Sequence, residues 1–245
     1  DALPILLQYA KDAFDCIVLD EAHHVPADTY RKIMDHFTPK LWLGMTATPD
    51  KRDDNVEGRN VYEIFNYQIA YEIRLQQAME ENLLCPFHYF GITDLSMIGD
   101  EEAARDFNML TSDERVRHIV NQADYYGYSG DKVKGLIFCS NIKETEELSA
   151  KFNQIINPAT GKNFRTVALN GSASEQERQD AFERLAMNED ESSEDRQPLD
   201  YIFSVEILNE GVDIVEVNQV IMLRPTQSPI VFIQQLGRGL RKASG

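Results

Sequence analysis

The chain has few cysteines, few cations and no long apolar run. Three cysteines in 245 residues, Cys16, Cys85 and Cys139, are odd in number, far apart and set in strand-like surroundings. That excludes a disulfide framework and gives no zinc-ligand spacing, so a reducing cytoplasm is the expected setting. No hydrophobic stretch approaches the roughly 18 residues of a membrane span, and no signal-peptide pattern opens the chain, so no membrane partner is expected. Cations number 24 against 41 acids, giving a net charge of -17. A broadly basic nucleic-acid surface is thereby excluded, though a local basic or amide-lined track is not. Glycine is also missing where it could matter most. The first is Gly44, so no glycine-rich phosphate cradle precedes it.

With 42% hydrophobic and 27% charged residues, the composition is that of an ordinary globular chain, long enough for two modest domains. Asn188 to Asp195 reads as a solvated acidic loop, and a second acidic group lies at Asp100 to Asp106.

The informative stretch is Phe14 to His24, where Cys16-Ile17-Val18-Leu19 runs into Asp20-Glu21-Ala22-His23-His24. An apolar run without alternation predicts a parallel strand covered by helices on both faces. Open α/β sheets place their chemistry just beyond the carboxyl ends of such strands, where Asp20, Glu21 and His23 stand. Helical spacing is expected over Leu3 to Lys11, then after Pro26 with an apolar stripe of Tyr30, Ile33, Met34 and Phe37. Leu41 to Met45 predicts a second strand ending in Thr46-Ala47-Thr48, Ile69 to Glu80 a helix, and Leu83 to Phe90 an extended exit.

Gly91 to Asp113 has no sustained pattern and reads as a connection. This gives an expected first domain over 1–90, a linker over 91–114 and a second domain over 115–245. In the last of these, strands at Val133 to Cys139, Phe164 to Leu169, Asp200 to Val205 and Gln219 to Leu223 alternate with helices. Ser140-Asn141 precedes one helix, and Ser174 with Glu177 forms a capping-box pattern at the next. Ser228-Pro229 opens a last helix that gathers Gln234, Arg238 and Arg241 within about 60° on one face. Gly237 and Gly239 thin that helix, and its two arginines suit a polyphosphate.

The ordered set resembles a known family. Asp20-Glu21-Ala22-His23 is similar to motif II of superfamily 2 DEAD/DEAH-box helicases, and Thr46-Ala47-Thr48 to motif III. Leu136 to Ser140 resembles motif IV, Asn209-Glu210-Gly211-Val212-Asp213 motif V, and Gln234 to Arg241 motif VI. The wording of the last two is most similar to DNA-directed helicases related to restriction-enzyme motor subunits. The resemblance implies an α/β fold of parallel-sheet RecA-like domains, the first incomplete and the second complete. It implies ATP and Mg2+ as cofactors, with Asp20 holding the metal through water and Glu21 activating the attacking water. His23, Thr46, Thr48 and Gln234 would couple the motifs, Gly211 and Asp213 would meet the nucleotide, and Arg238 and Arg241 would be arginine fingers.

For nucleic acid, expected to be DNA, the candidates are Ser140, Asn141, Gly171 and Ser172 at helix starts, whose amides could receive phosphate or simply be capped. Arg178 recurs in the family pattern, and a salt bridge to a nearby Glu would explain it equally well. No Gly-x-x-x-x-Gly-Lys-Ser/Thr loop occurs: at Gly161-Lys162-Asn163, Ile156 holds the first glycine's place. The expectation is therefore a piece of an ATP-driven helicase or translocase whose partner is the N-terminal part of the same protein, inactive alone. Two alternatives stand beside it. One is a non-catalytic RecA-like binding module; the other is a metal hydrolase using Asp20, Glu21, His23 and His24, which lack His-Glu-x-x-His spacing.

Overall fold

The structure is a computed structural model that describes residues 3–22, 28–46, 60–84, 88, 90–91, 111–205 and 217–223. It divides into two compact units, Asp1–Arg74 and Leu75–Gly245. The division falls ahead of the connection expected over 91–114.

In the first unit, helix α1 (Leu3–Leu6) precedes strand β1 (Cys16–Leu19), helix α2 (Asp28–His36), strand β2 (Leu41–Gly44) and the short helix α3 (Val61–Ile64). The helix expected over Leu3 to Lys11 is thus a single turn. β1 and β2 pair in parallel, Cys16 opposite Leu41 and Leu19 opposite Gly44. Parallel partners share a face, so Ile17, Leu19 and Trp42 point one way, into a core with Ala22, Tyr30, Met34, Val61, Ile64 and Phe65. Gly44 is required there: a Cβ would stand 2.6 Å from Phe65 Cζ and 3.1 Å from Ala22 Cβ.

The other face corrects the expectation of a doubly covered strand. Val18 is 49% exposed and Leu41 55% exposed, and Cys16 is exposed beside them. Helices α2 and α3 pack on the Leu19 side. The residues are apolar on both faces, but one face is only partly covered by the described residues, with Leu43 part-buried and Val18 and Leu41 about half exposed.

In the second unit, α4 (Leu75–Glu80) replaces the longer helix expected from Ile69; residues 71–74 are not helical. Of the expected extended exit, Leu83, Leu84, His88 and Phe90 are described and none lies in a strand. Helix α5 (Asp113–Tyr126) starts where the Ser112 side chain accepts the Arg115 N–H, and ends at Gly127, whose φ of 68° favours glycine. Strand β3 (Gly135–Phe138), helix α6 (Ile142–Phe152), strand β4 (Thr166–Leu169), helix α7 (Glu175–Ala186), strand β5 (Tyr201–Ser204) and strand β6 (Gln219–Met222) follow.

The four strands form one parallel sheet in the order β4-β5-β3-β6. Alternation along β3 and β5 divides the core. Ile137 and Phe203 meet Val116, Ile119 and Val120 of α5 and Leu148 and Phe152 of α6. Leu136, Phe138 and Ile202 meet Ala181 and Leu185 of α7 on the opposite face. β3 and β5 are buried throughout, as a strand with helices on both faces must be. Gly135 makes the centre possible, since a Cβ there would lie 2.2 Å from the Tyr201 ring.

Capping sets the helix starts. Ser174 and Glu177 form the expected capping box at α7. The acidic loop is solvated as expected, with residues 188–195 all exposed; Glu189, in a 3-10 turn (Glu189–Glu191), pairs with Arg165, which also faces Asp200. The Arg165 hydrogen bond holds the Glu189 carboxyl below its usual range.

Candidate nucleotide and nucleic-acid sites

Parallel pairing in the first unit carries past the strands. Met45 N–H donates to Leu19 C=O at 2.9 Å, and Ala22 N–H donates to Met45 C=O at 2.8 Å. These two bonds place Asp20-Glu21 and Thr46 side by side at neighbouring strand exits. The turn is tight. Glu21 has φ of 48°, a left-handed conformation that disfavours a side chain, and its N–H donates to Asp20 Oδ1 at 2.9 Å. Asp20 is exposed and Glu21 partly exposed, while Ala22 between strand and helix is buried.

An exposed carboxylate at a strand exit suits a single, water-mediated contact to Mg2+. It does not make a metal cage, and among the described residues no group of three or more His, Cys, Asp or Glu converges as one. His23, His24 and Thr48 lie outside the described residues. So do Gly211, Asp213, Gln234, Arg238 and Arg241, with the helix expected after Ser228.

In the second unit the four nucleic-acid candidates lie at the same end of the sheet, just past the carboxyl ends of two parallel strands. Ser140-Asn141 follows β3 and Gly171-Ser172 follows β4. Asn141 is the N-cap of α6, its side chain accepting Glu144 N–H at 2.9 Å. The Ser140 amide is engaged as well, donating to Glu144 Oε2 at 2.7 Å. Asn170 builds the other turn: its Oδ1 accepts Ser172 N–H at 2.9 Å and Ser172 Oγ–H at 2.6 Å. Asn170 Nδ2 reaches Glu146 of α6 at 3.4 Å. Gly171 is open, with nothing within 4 Å of the place a Cβ would take. A groove of about 580 Å³ beside this turn is lined by Val167, Leu169, Asn170, Ser172 and Gln176.

Arg178 braces the turn, and among the described residues no glutamate pairs with it. Its Nε donates to Ala173 C=O at 3.0 Å and its Nη2 to Gly171 C=O at 3.4 Å. Between the two candidate turns, at the end of β5, buried Ser204 Oγ has no hydrogen-bond partner among the described residues.

Glu144 and Arg115 are the functional-site neighbours that sequence reasoning missed. Asn141 followed three residues later by Glu144 is a capping-box spacing and was the available signal. Nothing local in the sequence points to Arg115.

Residues 114–243 match the helicase conserved C-terminal domain. The chain belongs to that family. Residues 4–51 match the res subunit of type III restriction enzymes, so the two family matches fall on the two stretches that carry the helicase-like motifs. IRC3 of Saccharomyces cerevisiae, assigned as an ATP-dependent helicase, is 21% identical over 249 residues, covering 96% of this chain and 33% of IRC3. The type I restriction enzyme EcoAI endonuclease subunit of Escherichia coli is 24% identical over 266 residues, covering 96% of this chain and 30% of that subunit. The chain thus spans about a third of the length of these relatives.

Solved structures share the fold. A fragment assigned as the HsdR subunit of a type I restriction enzyme from Vibrio vulnificus YJ016 aligns with a TM-score of 0.72 at 22% identity, covering 97% of this chain and 42% of that one. The helicase Lhr of Mycobacterium smegmatis, bound to single-stranded DNA and AMP-PNP, aligns with a TM-score of 0.54 at 17% identity, covering 97% and 29%. The expected likeness to superfamily 2 helicases and restriction-enzyme motor subunits is borne out, as is the α/β fold of parallel-sheet, RecA-like type.

Proposed function

We propose that this helicase-family chain is the motif II to motif VI part of an ATP-driven motor that moves on DNA. The observation that carries this reading is the placement of Asp20-Glu21 and Thr46 at neighbouring exits of two parallel strands, locked by the Leu19, Ala22 and Met45 backbone bonds. Asp20 would hold Mg2+ on the nucleotide through water, and the ion would neutralise charge developing on the transferred phosphate. Glu21, held in its left-handed turn, would orient the attacking water and take its proton. Thr46, with Thr48, would link nucleotide state to the nucleic-acid end of the second sheet. Gly211 and Asp213 would contact the nucleotide, His23 and Gln234 would couple the motifs, and Arg238 and Arg241 would stabilise transition-state charge.

Ser140, Asn141, Gly171 and Ser172 would face the DNA. With the Ser140 and Ser172 amides and the Ser172 hydroxyl engaged within the protein, the Ser140 hydroxyl, the Asn141 side-chain NH2 and the Gly171 N–H are the donors left for phosphate. The partly covered apolar face of β1 and β2 supports a further proposal: more polypeptide of the same protein packs there, bringing the phosphate loop that these 245 residues lack.

A protein carrying the phosphate loop should hydrolyse ATP in a DNA-stimulated manner, and Arg241→Ala should retain nucleotide binding while turnover falls about a thousandfold. The 245-residue chain alone should give no hydrolysis above background. Robust DNA-stimulated ATPase from this chain, abolished by Glu21→Gln, would overturn the missing-loop reading. Equal loss of nucleotide binding and turnover in Arg241→Ala would make that residue structural.

A further inference from the structure

The second unit contains a buried ion pair to which neither the motifs nor the family matches assign a role. Glu144 is fully buried and Arg115 is 1% exposed; Arg115 Nη1 lies 2.8 Å from Glu144 Oε1. Burying such a pair is a poor way to gain stability, because desolvation of two charges offsets most of their attraction, and apolar residues of similar volume often serve as well. What an apolar pair cannot do is hold backbone atoms in place.

This pair holds two. Glu144 Oε2 accepts the Ser140 N–H at 2.7 Å, and Arg115 Nη2 donates to Leu223 C=O at 3.4 Å. Ser140 is the exit of β3 and Leu223 the exit of β6. The two strands are neighbours, joined at this end by Leu223 N–H to Phe138 C=O at 2.9 Å. Glu144 is also seated from below, its own N–H held by Asn141 Oδ1. A capping-box glutamate ordinarily reaches the N-cap amide. Here the carboxylate reaches one residue further back, to the residue before the cap.

We infer that Arg115 and Glu144 are positioning residues. Their ion pair fixes the Ser140-Asn141 turn against the exit of β6, the strand that leads in sequence to Gln234, Arg238 and Arg241. Resting on the reading of this end of the sheet as the DNA-facing one, the inference says that the turn's geometry is set by a buried charge pair from α5 and α6. It also says that Ser140 contacts phosphate through its hydroxyl rather than its amide, which Glu144 holds.

The test uses the 245-residue chain and the double variant R115M/E144M, which removes both charges while filling their volume, beside the single variant E144Q. Two readouts are needed: hydrogen exchange of backbone amides, and anisotropy of a fluorescein-labelled single-stranded oligonucleotide. The double variant should melt near the wild-type temperature, since no charge is stranded. Amides over 139–142 should exchange about tenfold faster, with those of β5 unchanged. Oligonucleotide affinity should fall about tenfold, the scale of losing a charge-assisted contact. E144Q, which keeps an acceptor for Ser140, should retain more of the Ser140 protection than the double variant.

Unchanged exchange over 139–142 in the double variant overturns the positioning role whatever the DNA result. Faster exchange with unaltered affinity leaves the pair a structural device only, and also overturns it. Failure of the wild-type chain to bind the oligonucleotide would instead count against the DNA-facing reading, and the exchange experiment still decides whether the pair holds the turn.

Discussion

Glu21 is where local backbone chemistry and function conflict most openly. Its φ of 48° costs a non-glycine residue about 1–2 kcal/mol. The position tolerates this because Ala22 must turn inward to bond Met45 while the carboxylate stays at the strand exit. Glycine would relieve the strain but adds about 0.5–1 kcal/mol of unfolded-state entropy. Glu21→Gly should therefore leave the first unit as stable as wild type or stabilise it by up to about 1 kcal/mol. In a protein carrying the phosphate loop it should abolish turnover. The measurement is convenient, because Trp42, the only tryptophan in the sequence, lies in the core packed around Leu19 and Ala22. A urea midpoint by Trp42 fluorescence that drops by more than about 1 kcal/mol equivalent would show the turn to depend on the glutamate side chain.

Among the helices, α7 shows how one element is fixed at both ends by different chemistry. Its start has the Ser174–Glu177 box, whose backbone and side-chain hydrogen bonds keep the Glu177 carboxyl below its usual range. Stability from that box is present above the unfolded carboxyl value and is lost as pH falls through the lowered one. Its end is closed by two lysines from the loop before β3: Lys134 Nζ donates to Ala186 C=O and Lys132 Nζ to Met187 C=O, both at 2.8 Å.

Burial pushes the Lys132 ammonium down to about 8, against an ordinary 10.5. Between those values the unfolded chain binds more protons than the folded one, so this group makes stability rise with pH across the window. Lys132→Met should remove that rise. The stability of wild type relative to Lys132→Met should increase by about 1 kcal/mol from pH 8 to pH 10.5, reduced by solvent screening at a half-buried site. Parallel denaturation curves at several pH values check it, and a difference that stays flat would mean that Lys132 titrates as in free peptide.

The same element shows what sequence could reveal. Capping, periodicity and the alternation of strand with helix are local or near-local, and Ser174, Asn141, the four strands of the second unit and both turns that follow β3 and β4 were all legible. Tertiary hydrogen bonds were not. That Glu144 withdraws the Ser140 amide, that Arg178 bonds carbonyls rather than a glutamate, and that Glu189 anchors the acidic loop to Arg165 all depend on residues brought together by the sheet. Periodicity also says that a strand is apolar on two faces without saying what covers them, which is why β1 was read as doubly buried.

At the scale of the whole molecule that last point becomes a prediction. A net charge of -17 should keep copies apart. Against it stands the face of the first unit formed by Cys16, Val18, Leu41 and Leu43, of which Val18 and Leu41 are about half exposed. Contiguous apolar surface of this kind on a parallel pair is what a partner or another layer of the same domain normally covers. Its charge repulsion is long-ranged but screened within about 8 Å at physiological salt, whereas apolar contact is unaffected by screening. Raising salt should therefore favour self-association of the 245-residue chain and increase binding of a hydrophobic dye. Val18→Lys and Leu41→Lys each place a charge on that face without touching the Leu19 side. Both should lower dye binding and shift sedimentation toward the monomer while leaving Trp42 fluorescence native. If both variants keep the native Trp42 signal yet associate like wild type, the β1–β2 face is not the surface that further polypeptide covers, and that part of the proposed architecture fails.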